Sequence, residues 1–271
     1  MKKTTLRFML VLLCTAGIAA CGNDEAPLTG EGGKPSKISP VNDTDRSIQF
    51  HYRAGILSEV IEKKGSILRF NYENNELTAV DISPEDKTMA DGHGWMNFGR
   101  EGRRIVVAAT YEPNFSSIRT ELELDENDVP VRITDAGVYS SDGNGQFILT
   151  REGQYYAEFT YGTERGQLVK QVVYDRATSE KVAVFDYEYD GHTGAASKTG
   201  LPLWYLACSA YWHRDYRSAY NRFLLNYAGN LVRETVAGTE KDGVYDYTYR
   251  YNGENVPVAM KGDIIDITIS Y

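Results

Sequence analysis

Trp204 and Trp212, two of the chain's three tryptophans, bracket a run that also holds Tyr205 and Tyr211 and continues into His213, Arg214 and Asp215. Aromatic faces stack on the apolar faces of sugars and peptides, while charged and amide groups beside them fix hydroxyls by hydrogen bonds. Trp204, Tyr205, Tyr211, Trp212 and His213 are therefore the candidate ligand platform, for a glycan or for an envelope protein. The same stretch also reads structurally. Pro202 suits the first turn of a helix, and Leu203, Leu206, Ala207 and Ala210 then fall on one stripe. That makes 201–216 a short helical or loop insertion, a plug closing one end of a core.

Other reactive residue types are scattered. His51, His93, His192 and His213 show no metal-ligand spacing. Asp125-Glu126-Asn127-Asp128 and Asp142-x-Asn144 offer oxygen ligands, but neither completes a twelve-residue calcium loop with its terminal Glu. Nucleophile-elbow, Cys-x-x-Cys, phosphate-loop and dinucleotide patterns are missing. With 38 acidic residues, carboxylate pairs arise by chance, and none is singled out as a glycosidase acid. No catalytic residue, metal or cofactor is expected. The leading expectation is a binding or scaffolding domain that does not catalyse. An envelope hydrolase acting on glycans or peptides is one alternative, and an assembly subunit pairing through a sheet edge is another. The net charge of −9 argues against nucleic acid, which calls for a basic surface.

The cysteines speak to location. Lys2, Lys3 and Arg7 precede an apolar run from Phe8 through Ala20, too short for a comfortable transmembrane helix. The run ends Ile18-Ala19-Ala20-Cys21, which resembles the lipobox of bacterial lipoproteins. That resemblance implies cleavage after residue 20 and a diacylglycerol on Cys21, with the freed amine acylated by a fatty acid such as palmitate. Residues 1–20 are then a signal peptide, and the mature chain is three charges more negative. Multiple acyl chains anchor stably, so the partner is the membrane, reached through the lipid on Cys21. The expected location is the outer membrane, surface-facing or periplasmic. Asp24 and Glu25 resemble the surface-export signal of Bacteroidetes lipoproteins. Cys208 then has no partner for an internal disulfide and reads as a buried structural thiol. Residues 21–45, rich in Gly, Pro, Ser and Asp, read as a flexible tether.

Residues 46–271 read as one all-β domain. The dominant period is two, as in Ile265, Ile267 and Ile269 alternating with Asp266, Thr268 and Ser270. Turn signals recur at Asn74-Asn75, Asp190-Gly191 and Asn252-Gly253. Tyrosine, at 20 against 9 Phe, aligns into a repeat. Phe50-x-Tyr52 is followed by Gly55, Leu57 and Val60, and Phe70-x-Tyr72 by Asn75, Leu77 and Val80 in the same frame. Looser copies start at Leu122, Phe159, Leu225 and Tyr249. The frame resembles the tyrosine–aspartate (YD) repeats of secreted bacterial shells. The whole chain resembles Bacteroidetes lipoproteins of unknown function with a porin-like domain. Only Cys21 receives a role from these resemblances.

About 14 to 16 strands are expected, more than the roughly ten an open twisted sheet holds, so the meander should curl strongly or close into a barrel. The terminal Tyr271 with alternating isoleucines is similar to the last strand of outer-membrane barrels. Frequent strand charges and short strands favour a barrel bathed in water and filled by side chains.

Overall fold

The computed structural model describes residues 33–43, 46–85, 93–111, 116–141, 147–212, 214, 219–263 and 265–271. Cys21, His213, Asp215, the Asp24-Glu25 pair and the Asp142-x-Asn144 turn lie outside them.

The two best repeat copies fold as the same hairpin. Strand β2 (Ile48–Arg53) returns through β3 (Ile56–Glu62), and β4 (Ser66–Glu73) through β5 (Glu76–Pro84). Phe50 faces Val60 and Tyr52 faces Leu57, as Phe70 faces Val80 and Tyr72 faces Leu77. In each, the register slips by one residue just before the tyrosine, leaving Ser58 and Thr78 as the extra residues of β-bulges. Their hydroxyls donate to the carbonyls of His51 and Asn71, at 3.0 and 3.3 Å. Because of the bulge, Leu57 and Val60, three apart, both point inward, as do Leu77 and Val80; all four are buried. Gly55 and Asn75 turn the chain at φ +79° and +65°.

The chain continues as β6 (Gly94–Glu101), β7 (Arg104–Tyr111), β8 (Ser116–Leu124), β9 (Pro130–Ser141), β10 (Phe147–Glu152), β11 (Tyr155–Tyr161), β12 (Leu168–Asp175) and β13 (Lys181–Tyr189). After an insertion come β14 (Leu231–Ala237), β15 (Gly243–Tyr251), β16 (Pro257–Gly262) and β17 (Ile265–Ser270). The bulge before the last inward residue recurs at Leu124, Tyr161, Tyr189 and Tyr251. The copy expected at Leu225-x-Tyr227 is different: Leu225 ends a helix and Tyr227 sits in the loop after it. Its neighbours Leu224, Leu225 and Asn226 are buried by packing, which overrides a two-residue resemblance.

Every pairing is antiparallel, and the ladder closes. A further strand, β1 (Lys37–Pro40), lies between β17 and β2, pairing Ile38 with Ile269 on one side and Ile48 on the other. The expected tether boundary at residue 45 is therefore too late. Pro35 and Pro40 look like chain breakers, yet proline is tolerated at strand ends, and fully buried Ile38 shows that this segment belongs to the wall. On the far side β9 is shared. Residues Arg132–Thr134 pair with β11, and Gly137–Ser141 pair with β10. β10 and β11 amount to one strand broken at Gly153, where a Cβ would lie 1.9 Å from the Asp135 carbonyl oxygen. Among the described residues the result is a closed ring of sixteen strands, with β10 a seventeenth outside it.

The two faces of the wall differ in chemistry. Outward-facing positions carry cross-strand ion pairs: Glu59–Arg69 at 3.0 Å, Lys170–Asp186 at 2.8 Å, Arg233–Asp246 at 2.7 Å, and Arg104–Glu121. Inward positions carry the apolar core. Tyrosines at the strand ends stitch neighbouring strands together. The hydroxyls of Tyr52, Tyr189 and Tyr271 donate to the carbonyls of Pro35, Leu168 and Pro257 at 2.8–2.9 Å.

A sixteen-strand ring is too wide for its own side chains to fill. The insertion between β13 and β14 supplies the filling. It holds a 3-10 turn (Ala195–Thr199), then α1 (Leu203–Trp212) and α2 (Ala219–Leu225). The helices touch well-separated parts of the wall, Phe50 and Phe70 on β2 and β4, Phe98 on β6, Thr120 on β8 and Glu234 on β14, and Asn226 just after α2 accepts from Tyr249 on β15. Only an element inside the lumen can do this, so the plug reading holds for the described part of 201–216, with two helices in the insertion where the sequence suggests one.

Candidate functional site

Tyr205 and Tyr211 are 4% and 1% exposed and Trp204 is 9% exposed, all within the packed lumen. Tyr205 meets Phe70 edge-on at 5.7 Å. Trp212 is half-buried, and its indole N–H donates to Thr120 Oγ1 at 3.2 Å. His213 is outside the described residues. Of the platform expected from Trp204, Tyr205, Tyr211, Trp212 and His213, Tyr205 and Tyr211 are closed off by packing, while Trp212 keeps a partly open face. On a helix inside a barrel most sides are walls, so the Tyr205 and Tyr211 rings are used in packing rather than offered to solvent.

Trp204 nevertheless borders open space. Because the meander is antiparallel, every second turn lies at the same end of the barrel. The turns after β4, β6, β8 and β11 share one rim with both ends of the plug. Between that rim and the plug's entry segment lies a cleft of about 740 Å³. Its apolar lining is Phe98, Leu203, Trp204, Tyr72 and Tyr227, and its polar lining includes Arg100, Arg165, Asp128, Glu76 and Asn75. Phe98 and Trp204 meet edge-to-face at 4.8 Å. Leu203 and Tyr227 press on Gly166, where a Cβ would lie 2.5 Å from the leucine; this glycine also turns the chain at φ +83°. The Tyr72 hydroxyl is buried without a hydrogen-bond partner, and burial pushes its phenol up to about 12.

The charges around the cleft are partly committed. Arg100 pairs with Asp128 and donates to the Gly102 carbonyl at 3.2 Å. Arg165 donates to the Asn127 carbonyl at 3.2 Å. Asp125, a candidate calcium ligand by sequence, accepts the amides of Asn127 and Val129 at 2.8 and 2.9 Å, as the cap of a tight turn. Among the described residues no group of three His, Cys, Asp or Glu is placed to hold a metal ion. Among the described residues no histidine lines the cleft. The rim thus gathers ring faces and hydrogen-bonding groups around a concavity.

No family model matches the chain, and no curated protein matches it. Solved structures do. The chain is similar to Bacteroides porin-like proteins. One, from Bacteroides vulgatus ATCC 8482, matches 88% of this chain and 98% of its own at 9% identity, with a TM-score of 0.40. Another, from Bacteroides uniformis ATCC 8492, matches 87% of this chain and 98% of its own at 12% identity, with a TM-score of 0.36. A chain of the Photorhabdus luminescens Tc holotoxin pore covers 79% of this chain with 13% of its own length, at 12% identity and a TM-score of 0.21.

Two polar clusters outside the cleft hold the plug. Arg222 on α2 pairs with Glu234 on β14 at 3.0 Å, with side chains 4% and 0% exposed, and Tyr247 donates to the same carboxylate at 3.2 Å. Where the insertion leaves and rejoins the wall, Asp190 accepts the amides of His192 and Asn230, both at 3.0 Å, and the Tyr251 hydroxyl. His192 stacks on Tyr251 at 4.3 Å. This Asp–His–Tyr grouping resembles a catalytic trio in composition only. Burial and the Asp190 carboxylate hold the Tyr251 phenol well above its usual value, and the carboxylate is occupied in bridging β13 to β14. Cys208 is buried, and burial drives its thiol far above the reactive range.

Sequence reasoning missed Tyr72, Phe98, Arg100, Arg165 and Tyr227. The usable signal was turn parity, since their turns lie at the same end of an antiparallel meander. Counting it required knowing that β10 and β11 are one strand interrupted at Gly153.

Proposed function

We propose that this protein is a lipid-anchored envelope protein whose plugged, water-facing barrel binds an oligosaccharide at the rim cleft without acting on it chemically. The cleft carries the reading: about 740 Å³ at a barrel mouth, with the Trp204, Phe98 and Tyr72 rings beside the guanidinium groups of Arg100 and Arg165. Mouths of barrels are common ligand sites, and rings with a few polar groups suit sugars. The lipobox ending at Cys21 supports the anchor, and Gly- and Pro-rich residues after it would hold the barrel near the envelope, raising the local concentration of a tethered binder. A hydrolase of this kind needs two carboxylates as acid and base; of the two that line the cleft, Asp128 is held by Arg100, which leaves Glu76 alone. A glycan array probed with the chain should show binding. Arg165→Ala should weaken that binding about tenfold with no loss of fold, the value of one charged hydrogen bond. An array without signal would remove the glycan reading.

A further inference from the structure

Strand β10 stands outside the closed ring. It pairs with β9 on one side, and its other edge faces no strand among the described residues. All six of its residues are exposed. Phe147, Ile148 and Leu149 are 45%, 52% and 46% exposed, three consecutive large apolar side chains on a free edge. Natural edges are usually blunted by lysine, proline or inward charges, because an open strand templates another. Here the three outermost described residues carry no such guard.

The sequence of the edge matches itself. A two-fold axis perpendicular to a sheet pairs residues whose numbers sum to an even value, and centring it on Ile148 uses all three apolar residues. Ile148 then faces Ile148 of the second copy, and Phe147 faces its Leu149 on the opposite side of the sheet. Phe147 and Leu149 share one face of the β9–β10 ladder, opposite Ser141 and Tyr139, while Ile148 lies on the other, opposite Ser140. Ile118, also exposed at 43%, lies two positions along β8 from the row of Ser140 and Ile148, on the face that Ile148 shares. Next along the edge, Arg151 and Glu152 cancel in charge. On a molecule of net charge −9 this is a locally neutral place for two copies to approach.

We infer that two copies of this chain pair edge to edge through antiparallel β10 strands, in a two-fold register centred on Ile148. Main-chain hydrogen bonds across the new ladder supply the attachment, and the apolar trio fixes the register.

Sedimentation velocity on the full chain in mild detergent, with Cys14→Ser and Cys21→Ser, tests this. The expected result is a monomer–dimer equilibrium. Ile148→Lys would place two ammonium groups face to face and should raise the dissociation constant at least about tenfold with unchanged far-UV circular dichroism. In the same background Ile148→Cys should cross-link to itself under mild oxidation, because opposed Cβ atoms fall within disulfide reach, whereas Leu149→Cys should not. A monomer up to about 100 μM overturns the inference, as does a dimer indifferent to Ile148→Lys or self-cross-linking at 149 in place of 148.

Discussion

Asp190 joins the two ends of the plug through a single carboxylate, which accepts from both sides of the gap between β13 and β14. Burial works against its charge, but hydrogen bonds from Tyr251, Asn230 and His192 prevail and hold the carboxyl below the usual range. A carboxyl lowered on folding contributes stability that is present above its unfolded-state value and is lost as pH falls through its folded-state value. Asp190→Asn should therefore destabilise the protein by about 1 kcal/mol at neutral pH, a modest figure because the group is partly solvated. The difference between variant and wild type should shrink as the pH drops below about 4. Thermal melts at pH 7 and pH 3 would show it. A gap of equal size at both values would place the effect in packing rather than charge.

The plug is held differently from the wall strands, and its hold centres on Arg222 and Glu234. Both are out of water, so their mutual attraction offsets a desolvation cost of several kcal/mol each, and removing one partner strands the other. Glu234→Ala should cost about 3–5 kcal/mol, while Arg222→Met with Glu234→Leu should recover most of that loss. Urea titrations of the two variants decide it. Equal losses in both would mean that the pair contributes shape and no electrostatics. Much at this scale was legible. The repeat starting at Phe50 and Phe70 gave the hairpins, turns and inward residues, and the odd spacing of Leu57 and Val60 already carried the bulge, since strict alternation cannot bury residues three apart. The break of period at 201–216 marked the plug. What periodicity could not reveal was the direction of the rings in 204–212. A helix with Trp, Tyr and Leu on several sides reads alike whether it lies on a surface or in a lumen. Burial all round is set by the wall, whose residues come from strands more than 130 positions away in sequence, such as Phe70 against Tyr205. The β1 strand was hidden for the opposite reason. Four residues between prolines have no period to detect, and their pairing is supplied by the other end of the chain.

As a whole the molecule inverts the solvent logic of a membrane barrel. A spanning barrel turns an apolar band outward, and a charged side chain facing lipid near the midplane costs about 2–4 kcal/mol. Here the outer face bears Glu59, Arg69, Lys170, Asp186, Arg233 and Asp246 at mid-strand, while Phe, Ile, Leu and Val face a lumen packed with helices. Inserting even these six charges would far exceed the marginal stability of a folded domain. Several of the strands are six to eight residues long, short of the nine to eleven of a bilayer crossing. A barrel with this outer face is suited to water, and the proposed attachment to the envelope rests on the lipobox cysteine, Cys21. In bacterial cells the wild-type chain should incorporate a palmitate analogue and pellet with membranes. Cys21→Ser should lose the label and appear in the soluble fraction after cell breakage. If the unlabelled variant still resists extraction by alkaline carbonate, the barrel itself is embedded and the charged outer face has been assigned to the wrong solvent. If it retains the label, the acyl chain sits on another residue and the lipobox resemblance fails.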